Sequence, residues 1–482
     1  VGTLRSALPT LRLWINRKTM PLPYKKSIHL FRRDLRLHDN TALIQALSAS
    51  QSVIPCFIFD NRQIENNPYK SNHCLQFMVK SLQDLDLQLR KVNSKLYYFH
   101  GIAEEIIEKL IREQQVEAVF VNRDYTPFSK MRDSNIKLIC DKCQIDFHSL
   151  GDALLHEPED IFKSNHQPYT IFTPFFHKAS SLPVRAPQKN SHQHYFHSAI
   201  SFEDKHMMEQ LEKYDSKTLR VNGGREEGLQ LLRNIKSLTD YQKTRDIPAL
   251  HGTTTLSAHN KFGTLSIREV YSAIRYYFGE HHSLIKELYW RDFFTHIAFH
   301  FPHVFTRSFQ QKFSSLQWSK NENHFQRWCE GSTGFPIVDA GMRELNATGF
   351  MHNRVRMITA SFLVKDLHIN WQWGEKYFAQ KLVDYDPAVN NGNWQWAAST
   401  GCDAQPYFRV FNPWLQQKKF DPHCLYIKQW IPELANSPTN TIHALSEKIA
   451  GSVADYPAPM VNHAKESKKA VTLYRSIPRR DE

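Results

Sequence analysis

The chain contains no run of about 18 apolar residues, the length a helix needs to cross a bilayer, and its mean hydropathy is −0.52. A membrane-spanning helix is thereby excluded. Glycine is sparse, at 17 of 482 residues, and glycine plus proline together fall below ordinary usage, which excludes collagen-like and low-complexity classes. Cysteine is limited to seven residues, an odd number scattered over a long chain, so a disulfide scaffold is excluded and reduced thiols in a cytoplasmic setting are expected. Cys140 and Cys143 form a C-x-x-C, but no second pair or neighbouring histidine set completes a zinc site, and no metal is expected.

What is present is positive charge: 61 Lys plus Arg against 48 Asp plus Glu, a formal charge of +13 and a pI near 9.2. Such a surplus suits a polyanion, because each cation set against a phosphate releases a counterion, although a merely soluble basic surface gives the same arithmetic. Hydrophobic residues at 41% and aromatics at 12% can fill sizeable cores, and the length calls for two or three domains. Nine of the ten tryptophans fall between Trp290 and Trp430, with only Trp14 outside. Something in that stretch uses indoles.

Residues 1 to 19 carry Arg5, Arg12, Arg17 and Lys18 with no acid, and Met20 follows; charge breaks every apolar run, so a signal peptide is not expected there. Residues 1–26 are expected to be a disordered extension outside the fold. From residue 27, short apolar runs at Ile28 to Phe31, Val53 to Phe59, Leu96 to Phe99, Ala118 to Val121 and Ile145 to Phe147 predict five strands. Cys74, Phe77, Met78, Leu82, Leu85 and Leu89, then Ile106, Ile107, Leu110 and Ile111, recur between them at helical spacing. This alternation predicts a Rossmann-like α/β domain over 27–155, with a parallel five-stranded sheet covered on both faces. Residues 156–220 read as an interdomain connection, least periodic from Ser180 to Thr218. The remainder, 221–482, is predominantly α-helical: Trp290, Phe293, Phe294, Ile297, Ala298 and Phe301 form one amphipathic stripe, and Val355, Ile358, Phe362 and Leu363 another.

Within the helical part, Asp384, Asp386, Asn390, Asn391 and Asn393 crowd a polar segment that runs straight into Trp394 and Trp396. A capped turn explains the polar residues alone. Carboxylate acceptors, amide donors and large π surfaces together suit a heteroaromatic ligand. Thr253, Thr254, Thr255, Leu256 and Ser257 lack P-loop spacing, yet their hydroxyls precede a helical segment and suit either an N-cap or a phosphate. Glu287, Trp290 and Arg291 share a helical face, as an ion pair beside an indole or as a base-binding set. Asn353, Arg354, Arg356 and Met357 fall on another helix, which also reads as a solvated basic face.

These residues converge on one family. Phe31-Arg-Arg-Asp-Leu-Arg-Leu-His-Asp-Asn40 resembles the amino-terminal signature of the photolyase and cryptochrome flavoproteins. From Thr333 to Asp421 the chain is similar throughout to class I cyclobutane pyrimidine dimer photolyases. The similarity passes through Gly334-Phe-Pro-Ile-Val-Asp-Ala340, Met351-His-Asn-Arg-Val-Arg-Met357, Asn390-Asn-Gly-Asn-Trp-Gln-Trp-Ala-Ala-Ser-Thr-Gly401 and Pro406-Tyr-Phe-Arg-Val-Phe-Asn-Pro413. It spans about Ile28 to Leu434 in unbroken order.

The resemblance implies an antenna-chromophore domain over 27–155, then a linker, then a FAD- and DNA-binding catalytic domain over 221–482. It assigns Tyr241 and Thr253 through Ser257 to flavin phosphate and ribityl contacts. Asp384 and Asp386 fall by the ribityl and ring moieties, Arg356 is the ionic partner of Asp384, and Asn390 stands beside the flavin N5. Trp394, Trp371 and Trp318 match an electron relay from the surface to the flavin. Glu287, Trp290, Asn353, Met357 and Trp396 match the lesion pocket, and Arg245, Arg291, Arg354 and Gln416 the contacts to the DNA backbone. The implied activity is light-driven splitting of cyclobutane dimers in damaged DNA by reduced FAD, in a monomer without an obligate protein partner, associated with the nucleoid.

Two alternatives carry different residues. Plant and insect cryptochromes usually have Asp or Cys where Asn390 stands, and (6-4) photolyases usually have a histidine pair where this chain has His352 and Asn353. The second chromophore is left open between a deazaflavin and methenyltetrahydrofolate, with an empty or flavin-filled site as further possibilities; the Asn-Glu pair of folate-binding members is replaced by Phe128 and Ser129.

Overall fold

The computed structural model describes residues 22–65, 67–213, 219–445 and 455–477. Residues 1–21, which include Trp14 and most of the predicted extension, lie outside the described part.

All five predicted strands form: β1 (Tyr24–Phe31), β2 (Ser50–Phe59), β3 (Tyr97–His100), β4 (Ala118–Asn122) and β5 (Asp146–Leu150). They pair in parallel in the order β3-β2-β1-β4-β5, with Ile28 of β1 opposite Ile54 and Val119. Continuous apolar runs, rather than alternating ones, are what a sheet buried on both faces requires. Phe31, Val53, Phe57, Phe59 and Phe120 enter one core with Phe77, Leu82 and Leu85 of the helix Asn72–Arg90. Ile28, Leu30, Ile54, Val119 and Val121 enter another with Ile107 and Leu110 of the helix Ala103–Gln114. β1 begins at Tyr24, ahead of the predicted start, so Tyr24, Lys25 and Lys26 belong to the sheet and not to the extension. The Tyr24 hydroxyl donates to Asp146 at 2.6 Å and anchors that end to β5.

The connection predicted over 156–220 is partly structured. It holds a helix, Phe172–Ser180, whose buried Phe172, Phe175 and Ala179 have the i, i+3, i+7 spacing of an apolar face. A second short helix spans His206–Glu212. Between them the chain pairs alongside β2 at Val53, which donates to the His194 carbonyl and accepts from Phe196 N–H.

The two domains are joined by buried ion pairs. Arg36 meets Asp152 at 2.7 Å, while Arg268 of the helical domain reaches Asp39 at 2.8 Å and Asp152 at 2.7 Å, with every member no more than 4% exposed. Gly263 sits at this junction with φ +64°, and a Cβ there would come within 2.2 Å of the Arg33 carbonyl oxygen. Both the backbone angle and the close approach call for glycine.

The apolar stripe from Trp290 to Ala298 lies on the helix Ser283–His300, with Phe301 just past its end. This helix is buried around most of its circumference, Asp292, Thr295 and His296 included, so the amphipathic pattern describes only one of its faces. The helix Asn353–Ser361 runs into a π-helical turn, Phe362–Asp366, before the helices Trp371–Lys381 and Pro387–Ala397. Gly374 lets the last two pack closely, since a Cβ there would lie 2.2 Å from the ring of Trp394.

Candidate functional site

A cavity of about 480 Å³ opens among these helices. Its size is that of a cofactor or drug-sized ligand site. Tyr241, Arg245, Thr253, Thr254, Thr255, Leu256, Ser257, Glu287, Trp290 and Arg291 line it from one side. Asn353, Arg356, Met357, Asp384, Asp386, Asn390, Trp394 and Trp396 do so from the other. Residues spread over the helical domain thus meet around one space.

Four candidates lie elsewhere. Trp371 is buried at the start of its helix, and Trp318 is half-buried beside the bridge between Ser319 and Ile369. Arg354 pairs with Asp246 at 2.9 Å and lies over the Phe420 ring, outside the cavity. Gln416 is half-buried in the helix Pro413–Phe420, also outside it. Arg291 lines the cavity, but its guanidinium turns inward to donate to the carbonyls of Ala153, at 2.6 Å, and Asn260. It is therefore a domain-junction residue here rather than a surface cation offered to a phosphate.

The carboxylates are held individually. Arg356 donates to both oxygens of Asp384, at 3.2 and 2.9 Å, and to the Met351 carbonyl, which is the fork geometry suited to a carboxylate. Asp386 caps the helix Pro387–Ala397 by accepting from Ala388 and Val389 N–H, and its other oxygen pairs with Arg33. Burial alone would push the Asp386 carboxyl up, but the Arg33 and Arg291 charges outweigh it and hold it below its ordinary value. Arg33 also reaches Asp124 at 3.2 Å, so a residue of the sheet domain fixes the helix that carries Asn390, Trp394 and Trp396. Sequence reasoning passed over Arg33 although it stands within the amino-terminal motif.

Asn390 has a fixed orientation. Its Nδ2 donates to the Glu375 carboxylate at 2.9 Å and to the Glu375 carbonyl at 3.0 Å, which leaves its Oδ1 as the free acceptor of a residue that lines the cavity. Glu375 was also missed, because it belongs to a different helix and only packing brings it to Asn390. It is 6% exposed, and burial pushes its pKa from 4.5 up to about 7 against the opposing Asn390 hydrogen bond. The folded protein therefore binds this proton more tightly than the unfolded chain. The resulting stability penalty is absent below about pH 4.5, grows as pH rises, and is complete above about 7, on the order of 3 kcal/mol. Melting of the flavin-free protein should accordingly fall more steeply over that window than melting of Glu375→Gln, and parallel curves would refute the assignment.

At the mouth, Arg245 pairs with Glu287 at 2.9 Å, both side chains about one-third exposed. Trp290 and Trp396 are half-buried walls, and Trp394 is 2% exposed. His352 caps the helix Asn353–Ser361 through Nδ1, and burial pushes its pKa down to about 4, so the ring is neutral.

The lining fits FAD. The hydroxyls of Thr253, Thr254, Thr255 and Ser257 suit phosphate and ribityl oxygens, and Asp384 supplies acceptors at a wall that also bears Phe378, Tyr385 and Trp394. The Asn260 Oδ1 is a buried acceptor without a partner at the same cavity, as expected where a ligand donor completes it.

The family model for DNA photolyase matches residues 27–190, and that for the FAD binding domain of DNA photolyase matches 284–476. The deoxyribodipyrimidine photo-lyase of Alkalihalophilus pseudofirmus is 36% identical over 92% of this chain and 97% of its own length. An archaeal photolyase from Sulfolobus tokodaii, solved with two FAD molecules, is 43% identical and superposes with a TM-score of 0.86 over 94% of this chain and all of its own. The Synechocystis cryptochrome is 28% identical, with a TM-score of 0.84 over 94% of this chain and 99% of its own. Relatives above 30% identity that span nearly the whole chain decide the assignment: it belongs to the DNA photolyase family.

Proposed function

We propose that this chain repairs cyclobutane pyrimidine dimers in DNA, with the lesion taken into the cavity between Trp290 and Trp396. The observation that carries the reading is that these two indoles, Glu287 and Asn390 line the same space as the flavin-binding hydroxyls. FAD, bound and reduced, would supply on illumination the electron that opens the dimer and would recover it afterwards. The chain's own part is binding, positioning and exclusion of water.

A dimer must leave the duplex to be reached, and a weakly stacked lesion costs less to extrude than an intact pair. Trp290 and Trp396 offer it apolar π walls. Glu287 offers a carboxylate to a base edge once Arg245 turns from it to a neighbouring phosphate. Phosphate contacts position the strand, and the cavity selects the lesion. Asn390, with its amide nitrogen spent on Glu375, presents an acceptor suited to a protonated ring nitrogen of reduced flavin. Trp394 on the cavity wall and Trp371 are each 2% exposed and Trp318 is half-exposed, a gradation of burial that suits electron delivery from the surface.

Two further features favour this reading over its neighbours. Neutral His352 spends Nδ1 on its own helix and provides no acid, which disfavours (6-4) chemistry. Asn390 differs from the residues usual in plant and insect cryptochromes. For the second chromophore, Phe128 stands near the guanidinium groups of Arg62, at 5.2 Å, and Arg132, at 5.8 Å, where folate binders have a polar pair. Together with the two FAD molecules of the Sulfolobus relative, this favours a flavin antenna.

The test is to illuminate reduced, flavin-loaded protein with a dimer-containing oligonucleotide and follow the return of intact thymines. Light-dependent recovery over several turnovers is expected. No recovery with reduced flavin bound overturns the proposal.

A further inference from the structure

Trp290 is only half-buried, yet its ring is not free to turn. The ring of Phe172 lies against it face to face, with centroids 3.6 Å apart and planes inclined by 7°. Phe172 is itself 7% exposed and does not line the cavity, whereas Trp290 and Phe294 do. Phe172 therefore covers one face of the indole, and Phe294, inclined by 29° at 5.5 Å, packs against the same ring, while Trp290 still forms part of the cavity wall. Phe293, edge-on to both rings at 5.7 Å, closes the cluster from the core side.

Phe172 is in turn tied to the opposite wall. Its backbone N–H donates to Asp403 at 2.9 Å. Asp403 lies in the turn that follows Trp396, where Thr400 and Gly401 N–H donate to the Gln395 carbonyl and Gln405 N–H to the Trp396 carbonyl. The first residue of the linker helix thus spans two indoles that come from different helices and would face each other across the lesion.

We infer that Phe172, anchored by Asp403, is a positioning residue that holds Trp290 in the orientation needed to stack on the flipped lesion. This rests on the proposed reading of the cavity as the lesion site. An indole at a cavity mouth that must be ordered on binding loses affinity in proportion to the freedom given up. A stack already formed on one of its faces removes that loss before the lesion arrives. The consequence is specific: undamaged DNA, which does not enter the cavity, gains nothing from Phe172.

The experiment compares affinities of flavin-loaded wild type, Phe172→Leu, Phe172→Tyr and Asp403→Ala for a dimer-containing oligonucleotide and its undamaged counterpart. Phe172→Leu keeps apolar volume but removes the flat ring. It should bind the dimer about three- to tenfold more weakly, with undamaged affinity, flavin content and photoreduction unchanged. Phe172→Tyr should restore dimer affinity. Asp403→Ala removes one part-buried contact and should give a smaller loss in the same direction, a second readout if Phe172→Leu folds poorly. Preserved dimer preference in Phe172→Leu and Asp403→Ala overturns this inference alone, as does equal weakening on both oligonucleotides. A wild-type protein with no dimer preference overturns the lesion-site reading together with it.

Discussion

Trp394→Phe should slow light-driven reduction of bound flavin by at least about a hundredfold while leaving repair by chemically reduced protein intact. The indole is 2% exposed, forms part of the cavity wall, and packs its ring against Gly374, one turn along the helix that begins at Trp371. On the proposed reading it is the first donor. Benzene rings give up an electron far less readily than indoles, and a barrier raised by only about 2.7 kcal/mol already slows a step a hundredfold. Phenylalanine retains much of the ring packing against Phe378, so the folding cost should stay within roughly 0.5–3 kcal/mol. Photoreduction followed by flavin absorbance, beside repair after chemical reduction, separates the two roles. Unchanged photoreduction would remove Trp394 from the relay, and loss of both activities would mean that it serves the site in another way.

Arg356→Leu should cost about 3–5 kcal/mol of stability and abolish flavin retention. Asp384 has a side chain only 4% exposed, and the Arg356 fork is its one cationic partner among the described ion pairs. Removal of one member of such a pair leaves an uncompensated buried charge, which is the expensive case. A loss of that size is a large fraction of the stability of an ordinary domain. Replacing both members, Arg356→Leu with Asp384→Leu, should recover most of the stability, because an apolar pair of similar bulk removes the stranded charge. It should not recover flavin, since the acceptors at that wall are gone. Thermal unfolding and flavin content of the four proteins of the cycle decide between a site role and a purely structural one.

The sheet and its order of elements were readable because burial on both faces leaves a direct trace: apolar runs without alternation, as in Ile28 to Phe31 and Ala118 to Val121. The site's chemical inventory was readable for another reason. Motifs such as the one from Asn390 to Trp396 keep their residues on a single helix, where spacing is geometry. Periodicity failed where a helix is wrapped on most sides. The stripe from Trp290 to Phe301 marks one face, while Asp292 and His296, polar by type, are buried on others. It failed again in the linker, where the short apolar face of Phe172, Phe175 and Ala179 has too few turns to stand out from a nonperiodic stretch.

The sequence by itself determined which groups this protein has: five strands, four of them largely buried, an excess of cations, a concentration of indoles, and a set of carboxylates, amides and hydroxyls recognisable as a family's. Only the tertiary structure decided what each group is free to do. It spends the Asn390 amide nitrogen on Glu375, one oxygen of Asp386 on Arg33, the Arg291 guanidinium on backbone carbonyls, and one face of Trp290 on Phe172. The physical reason is that these partners are distant in the chain. Local spacing specifies the direction of a side chain relative to its own helix or strand, but hydrogen bonds and ring contacts are satisfied by whatever element packs against it. What remains unspent after that packing, an acceptor at Asn390 and the part of Trp290 that reaches the cavity, is what the site offers to its ligands.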